Sequence, residues 1–594
     1  MNNTIQTRLS ALRNEMKNQG IDAFIIPGTD PHMSEYIADH WKCREWISGF
    51  DGSAGTVVVT TNDAGLWTDS RYFLQGAMQL QGTGIELFKE GLPETPSIEA
   101  HLIDTLPAGS TVAVDGNLFG ISAAASLKNQ FEAKGLKFRT DFYPFDTVWT
   151  DRPALPKDMI YVYPEEFAGE STLSKRTRIL AELQKQGANA LLLTALDDIA
   201  WALNLRGTDV ECNPVAICFA FVSEKENILF IDKDKLTAEV KEFLQHNNIL
   251  TASYDKIGDF LAQLPQEYNL LLDPAKVNDF LFNAVSSECH KIQATAPVAL
   301  LKAVKNETEV EGFRKAMAKD GVALVQFFRW LEENIPSGNV TERTVADKLI
   351  EFREKQENYV GESFSTIAGY KGHGAIVHYR ANEESDATIH NDGFLLIDSG
   401  AQYFDGTTDI TRTVILGEPT AQQKRDFTLV LKGHIDLAMT KFPQGTRGDQ
   451  LDVLARRALW DLHMNYLHGT GHGIGHFLNV HEGPQSIRLN HNPTLLVPGM
   501  VTSNEPGLYI TDQYGIRHEN LILTVEDGES AFGKFYRFET LTLFPFDLKG
   551  IDASLLSDAE KEWLNTYHKT VYDKLSPGLN EEEKLWLAEK TKAI

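Results

Sequence analysis

Apolar and polar positions follow two periods along this chain. In RLSALRNEMKNQGIDAFIIPGTD (8–30), apolar residues recur every three or four positions, a Gly follows, and a short apolar run closes the stretch. That pattern reads as a polar helix, its stop and a strand. RTRILAELQKQGANALLLTALDD (176–198) repeats the same order of signals. Each copy is followed by further apolar strands, such as GTVVVTT (55–61) and AICFAFV (216–222). The chain therefore predicts two α/β domains of similar build, over about 1–155 and 156–295, divided by the Pro-containing linker DRPALPKD (151–158).

A third region opens at LKAVKNETEVEGFRKAM (301–317). Asn306 and Glu309 have the spacing of a capping box. Val310, Phe313, Met317, Gly321 and Leu324 then fall on one helical face. Strand-like runs come later: FLLIDSG (394–400), TRTVILG (411–417), MVTSNEPGLYI (500–510) and NLILTV (520–525). Helices lie between them, including QQKRDFTLVLKGHIDLAMTKF (422–442). The order predicts a mostly antiparallel sheet backed by helices over 296–594. The tail, about 545–594, reads as helical, with Trp563, Tyr567 and Trp586 packing on this third domain or on a second subunit. The expected fold class is α/β for the first two regions and α+β for the third.

Composition narrows the partners. Hydrophobic residues make up 42% of the 594 and charged residues 23%, an ordinary globular balance. Asp and Glu number 83 against 56 Lys and Arg, a formal charge of −27. Nucleic-acid binding needs basic groups to replace phosphate counterions, so that class is disfavoured, as is an anionic membrane surface. The four cysteines form no CxxC pair and read as free thiols of a reducing compartment. The N-terminus has no secretory apolar run, and no stretch reaches the roughly 20 apolar residues that span a bilayer. A cytoplasmic protein without membrane or nucleic-acid partners is expected.

The chemistry begins with acids where a buried hairpin is expected. DSGAQYFDGTTDITRT (398–413) holds Asp398, Asp405 and Asp409. Asp405-Gly406 is a hairpin-turn dipeptide, which explains Asp405. Asp398 and Asp409 sit among Leu, Ile, Val and Thr, where an ionised carboxylate costs several kcal/mol unless it is paired or bound to metal. A two-residue turn at 405–406 pairs residue 402 with 409, so both acids share a face but stand on the order of 13 Å apart along the strand. A bulge or another loop register must bring them closer if they share an ion, and buried salt bridges would also explain them.

The neighbouring motifs favour metal. HGTGHGIGHFLNVHEGP (468–484) holds four histidines and five glycines, and SNEPGLY (503–509) and IRHENLIL (516–523) carry Glu505 and Glu519 in strand-like segments. Two Asp, two Glu and a His are mostly hard oxygen donors, suited to Mn²⁺ or a similar divalent ion. Four negative charges call for two ions. A pair ~3.5–4 Å apart can activate a water between them for hydrolysis.

These motifs, together with WISGFDGSAG (46–55), AGYKGHGAIVHY (368–379) and EWLNTYH in the tail, resemble the signatures of Xaa-Pro aminopeptidases (aminopeptidase P) over nearly the whole chain. The resemblance implies the long three-domain cytosolic form, with a pita-bread catalytic domain shared with methionine aminopeptidase, prolidase and creatinase. It implies two Mn²⁺ per subunit, with Zn²⁺ or Co²⁺ as other candidates. Asp398 would chelate one ion alone, Asp409 and Glu519 would bridge both, and His472 and Glu505 would hold the other. His378, His468 and His481 would orient the peptide, stabilise the tetrahedral intermediate and shuttle protons, with Arg517 near a ligand or the substrate. His373, His476 and His518 are read as structural.

The implied reaction removes the N-terminal residue from peptides with proline second, by attack of hydroxide held between the metals. Glu505 or a histidine would relay a proton to the leaving nitrogen. A homodimer is expected, its N-terminal domains shaping the active-site entrance and WKCREWISGFDGS approaching a neighbour's site. Prolidase, which splits Xaa-Pro dipeptides, is the nearest rival. The long N-terminal region and the HGTGH form favour the aminopeptidase. Metal-free creatinase and the histone-chaperone relatives of the fold lack the complete ligand set.

Overall fold

The computed structural model describes residues 2–594. The chain forms two compact units, one running to Val298 apart from residues 166–169, the other comprising those four residues and Ala299–Ile594.

The first unit contains the sequence repeat as a repeat of topology. One six-stranded sheet runs, edge to edge, Glu86–Lys89, Ala64–Thr68, Thr56–Thr60, Ala23–Ile26, Thr111–Val114 and Lys137–Arg139. The other runs Leu250–Ala252, Asn227–Phe230, Phe219–Ser223, Ala190–Leu193, Asn269–Leu272 and His290–Gln293. Both have the same pairing order: parallel, antiparallel, antiparallel, parallel, parallel. The two similar stretches of sequence supply the strands Ala23–Ile26 and Ala190–Leu193, which occupy the same place in each sheet. Both are buried at every position, as strands covered on two faces must be.

The longest helix of the second unit is the 28-residue Glu307–Asn334, whose Asn306–Glu309 capping box is formed in both directions. Phe313, Met317, Gly321 and Leu324 are buried on it, whereas Val310, in the first turn, is only half-buried. Two antiparallel sheets carry the functional motifs. The first is built on strand Gly393–Tyr403, paired with Tyr359–Tyr370 on one side and with Gly406–Thr407 and Ile410–Leu416 on the other. The second runs Lys441–Pro443, Gly533–Thr540, Asn520–Ser530, Val501–Asn504, Gly471–Gly473 and Glu482–Ile487. Helix Ala421–Ala438 joins the two sheets in sequence, and helix Gly448–Trp460 follows the second sheet's edge strand Lys441–Pro443. The tail is helical, Asp558–Leu575 and Glu581–Lys590, and packs into this unit's own core through Leu564, Val571 and Leu587, with Trp563 and Trp586 against it.

Three local expectations need correction. The hairpin turns at Phe404–Asp405, one residue earlier than 405–406, so Gln402 pairs with Thr407 and Asp398 with Thr411. The physical reason is that Asp405 is held from outside the turn, by the Lys319 ammonium and by Asn358 Nδ2 at 3.1 Å. Moving the turn by one residue moves the pairing by two. Asp409 then lies diagonally across from Asp398, a separation of about 7–8 Å between backbones. The run 500–510 is two strands, Val501–Asn504 and Gly507–Ile510, in different sheets, with Glu505 in the break at Pro506. Glu519 likewise sits in a gap, between Tyr514–Arg517 and Asn520–Ser530. Finally, the helix expected over 422–442 ends at Ala438, and Lys441–Pro443 is already an edge strand.

Candidate metal centre

Strand ends converge on one point of the second unit. Asp409 precedes Ile410–Leu416, His472 is central in Gly471–Gly473, and Glu519 precedes Asn520–Ser530. A donor atom from each lies within 4.8 Å of the others. His472 Nε2 stands 3.6 Å from Asp409 Oδ2 and 3.3 Å from Glu505 Oε1. Its Nδ1 lies 3.0 Å from the Gly473 carbonyl. With the hydrogen donated there, the Nε2 lone pair faces the acids, the orientation in which imidazole ligates metal. Close approach is what the glycines provide: a Cβ on Gly471 would stand 2.0 Å from the Ser503 carbonyl. Ser503 Oγ in turn accepts from His472 N at 3.0 Å and donates to Glu505 Oε1 at 3.1 Å.

Asp398 lies outside the closest trio. Arg517 Nη2 donates to its Oδ2 at 2.5 Å, while its Oδ1 is buried with no hydrogen-bond partner among the described residues. Arg517 also reaches Glu519, through Thr411: its Nε donates to Thr411 Oγ1 at 3.1 Å, and that hydroxyl donates to Glu519 Oε2 at 2.8 Å. Burial, then the charges of Asp398 and Glu505, push the Asp409 carboxyl well above its ordinary range. Burial and the neighbouring acids do the same to Glu519. Burial chiefly, with Asp398 adding, takes Glu505 up to about 7. Four crowded acids faced by one guanidinium, that of Arg517, an orphaned carboxylate oxygen and an aimed imidazole fit divalent metal.

Two of the other predicted histidines, His481 and His468, connect to this cluster. The His481 ring packs on His472, centroids 4.3 Å apart at 68°. His468 Nε2 is 2.8 Å from the Tyr509 hydroxyl, which also accepts from Arg517 Nη1 at 2.8 Å. His468 Nδ1 lies 2.7 Å from the Gly469 carbonyl and carries the hydrogen there, so Nε2 accepts from the Tyr509 hydroxyl, whose phenol burial pushes up to about 12. His378 follows Val377, whose carbonyl accepts from Arg517 Nη2 at 3.3 Å. Tyr509 and Thr411 are the residues that reading the sequence missed. Both lie in quoted motifs, and nothing short of the fold distinguishes them from ordinary strand residues. His373 hydrogen-bonds Glu342 at 2.9 Å, His476 packs edge-on to Phe313, and His518 Nε2 lies 3.3 Å from the Phe427 carbonyl.

Comparison with known proteins decides the family. Creatinase/prolidase N-terminal domain families match residues 8–146 and 151–309, metallopeptidase family M24 matches 311–526, and the M24 C-terminal region matches 534–594. Aminopeptidase P2 of Arabidopsis thaliana is 41% identical over 98% of this chain and 88% of its own. The probable Xaa-Pro aminopeptidase P of Laccaria bicolor is 43% identical over 96% and 90%. The chain belongs to the Xaa-Pro aminopeptidase P family. A solved member, the X-prolyl aminopeptidase of Caenorhabditis elegans, a cytosolic enzyme with a di-nuclear active site, matches with a TM-score of 0.95 at 36% identity over 100% of both chains. The Xaa-Pro dipeptidase of Bacillus anthracis shares the fold over 64% of the chain at 24% identity, TM-score 0.50. This aminopeptidase P relative is a hydrolase, a metal-dependent aminopeptidase with proline specificity, built as creatinase-type N-terminal domains followed by an M24 catalytic domain.

Proposed function

We propose that the chain hydrolyses the N-terminal Xaa-Pro bond of peptides at a dinuclear centre held by Asp398, Asp409, His472, Glu505 and Glu519. The observation that carries this reading is the convergence of Asp409, His472 and Glu519 donor atoms within 4.8 Å, with Glu505 3.3 Å from the same imidazole nitrogen. The hard donor set favours Mn²⁺. Such a pair supplies, when bound, Lewis-acid polarisation of a carbonyl and activation of a water nucleophile.

The protein's own groups do the rest. The acidic cluster attracts the substrate's free ammonium. His378, His468 and His481 orient the peptide and donate to charge developing on the scissile carbonyl, where one aimed donor is worth about 2.7–4 kcal/mol. Glu505 or a histidine carries a proton to the leaving proline nitrogen. Arg517 holds Asp398 and, through Thr411, Glu519, and so keeps the two acids in one frame. Proline lacks an N–H in this bond, so recognition rests on ring shape.

Three domains, 1–155, 156–295 and 296–594, a cytoplasmic location and a homodimer complete the proposal. The location rests on the likeness to the worm enzyme, which is cytosolic. Exposed Trp460, Leu462 and Leu467, at and just beyond the end of helix Gly448–Trp460, support self-association.

The test is cleavage by metal-stripped protein with Mn²⁺ added back, comparing Arg-Pro-Pro with Ala-Pro, and Asp409→Ala as control. Metal-dependent arginine release with little dipeptide cleavage is expected. Preference for Ala-Pro would make the protein a prolidase, and no cleavage of either would overturn the reading.

A further inference from the structure

Helix Ala421–Ala438 sends one imidazole, His434, into the interior behind the two glutamates, with 0% of its surface exposed. Its Nδ1 lies 3.0 Å from the Asn504 carbonyl and 3.2 Å from the His518 carbonyl. These two carbonyls belong to the peptide bonds that immediately precede Glu505 and Glu519. A single ring nitrogen thus touches both strands at the point where each delivers its carboxylate.

The tautomer follows from the surroundings. Arg412 Nη2 donates to Asn520 Oδ1 at 2.8 Å. A guanidinium has no acceptor, so the amide oxygen of Asn520 faces Arg412 and its Nδ2 faces His434 Nε2, 3.2 Å away. Nε2 therefore accepts, and Nδ1 carries the hydrogen that the two carbonyls share. Burial, then the charge of Arg412, hold the imidazole down at about 3, so the ring stays neutral. Asn504 Nδ2 returns a hydrogen bond to the His434 carbonyl at 2.9 Å, and Arg412 Nη1 donates to the Glu519 carbonyl at 2.5 Å. The side chain is tied at every polar atom, with Phe546 packed edge-on at 5.2 Å.

We propose that His434 is a positioning residue that fixes the separation of the Glu505 and Glu519 backbones, and with it the spacing of the metal centre. The proposal rests on the metal reading above. Its logic is geometric. The Glu505 and Glu519 strands are paired one step further on, Asn504 with Asn520, and the ladder stops before either glutamate. Past the glutamates one backbone bond remains, from His518 N to the Pro506 carbonyl at 3.2 Å, but Pro506 has no N–H to return to the His518 carbonyl, and the His434 N–H takes that acceptor. The ring also reports across the helix, because its own carbonyl is held by Asn504.

The experiment uses full-length, metal-stripped protein titrated with Mn²⁺ alone, read by calorimetry and by the magnetic coupling of the ion pair. Wild type is expected to bind two ions. His434→Phe fills the same space without the N–H and is expected to weaken the second ion about tenfold or more, lowering kcat for Arg-Pro-Pro with little change in KM. His434→Asn places an amide nitrogen where Nδ1 stands and is expected to recover most of that affinity. Should His434→Phe not fold, Asn520→Ala removes the donor to Nε2, together with one acceptor of Arg412, and is expected to weaken the second ion as well. Unchanged second-ion affinity and coupling in whichever of these two variants is measured overturns the proposal, as does an asparagine variant no better than phenylalanine. Wild-type protein that binds no ion pair overturns the metal reading and this proposal together, whereas an undisturbed pair in the variants overturns this proposal alone.

Discussion

At the scale of single residues, the acids of the centre oppose the fold that holds them. Glu505 moves from an ordinary 4.5 to about 7 because it is buried among like charges. Its folded value is raised, so its contribution to stability is fully present below about pH 4.5 and is lost as pH rises through about 7. At about 1.4 kcal/mol for each tenfold change, the bare carboxylate costs on the order of 3 kcal/mol at pH 8, and Asp409 and Glu519 act in the same direction. Metal-stripped protein is therefore expected to melt at progressively lower temperature from pH 5 to pH 8, and Mn²⁺ to remove most of that slope. Asp409→Asn should raise the melting temperature of the stripped protein at pH 8 while abolishing Mn²⁺-dependent cleavage. A flat pH profile in scanning calorimetry would show that the acids are compensated elsewhere. This opposition is also why Asp398 and Asp409 were legible as oddities in sequence. Tyr509, Thr411 and His434 were not, because a hydroxyl or imidazole is unremarkable in a strand or helix until its partner, distant in the chain, is known.

Elements carry the geometry. The hairpin that bears Asp398 and Asp409 depends on Gly400, where a Cβ would stand 2.0 Å from Ser363 Oγ and 2.2 Å from the Thr408 carbonyl. The serine can rotate away; the carbonyl cannot move without carrying Asp409 with it. Gly400→Ala is expected to cost about 3 kcal/mol in urea unfolding and to weaken Mn²⁺ binding. A variant with native stability and metal affinity would show that the interrupted ladder at Thr408 relaxes freely. Most strands and both capping signals at 306–309 were readable from period and composition, since those are local properties. The turn position was not, because Lys319 and Asn358, which hold Asp405, come from other elements. The ends of strands at Glu505 and Glu519 were missed for a related reason: apolar periodicity continues through a break that only sheet assignment reveals.

For the whole molecule, the repeat seen in sequence is a repeat of sheet topology, and that much needed no partner beyond the chain itself. Association does. The proposed homodimer should sediment at twice the 66.4 kDa of the chain, and replacing Leu462 and Leu467 together by Asp should shift it toward the single-chain mass. A wild-type protein that sediments at 66.4 kDa would end the dimer proposal and, with it, the expectation that WKCREWISGFDGS serves a neighbouring site.

The scattering of the five proposed donors has a consequence for biosynthesis. Asp398 emerges from the ribosome first and Glu519 last, and the strands that aim them pair only when the chain between has been made. A nascent chain thus presents acids in sequence but no cage. Whatever ion it meets while being translated finds only loose, exchangeable carboxylates. Selection among ions then belongs to the finished fold, and the ion retained reflects the composition of the compartment in which folding ends.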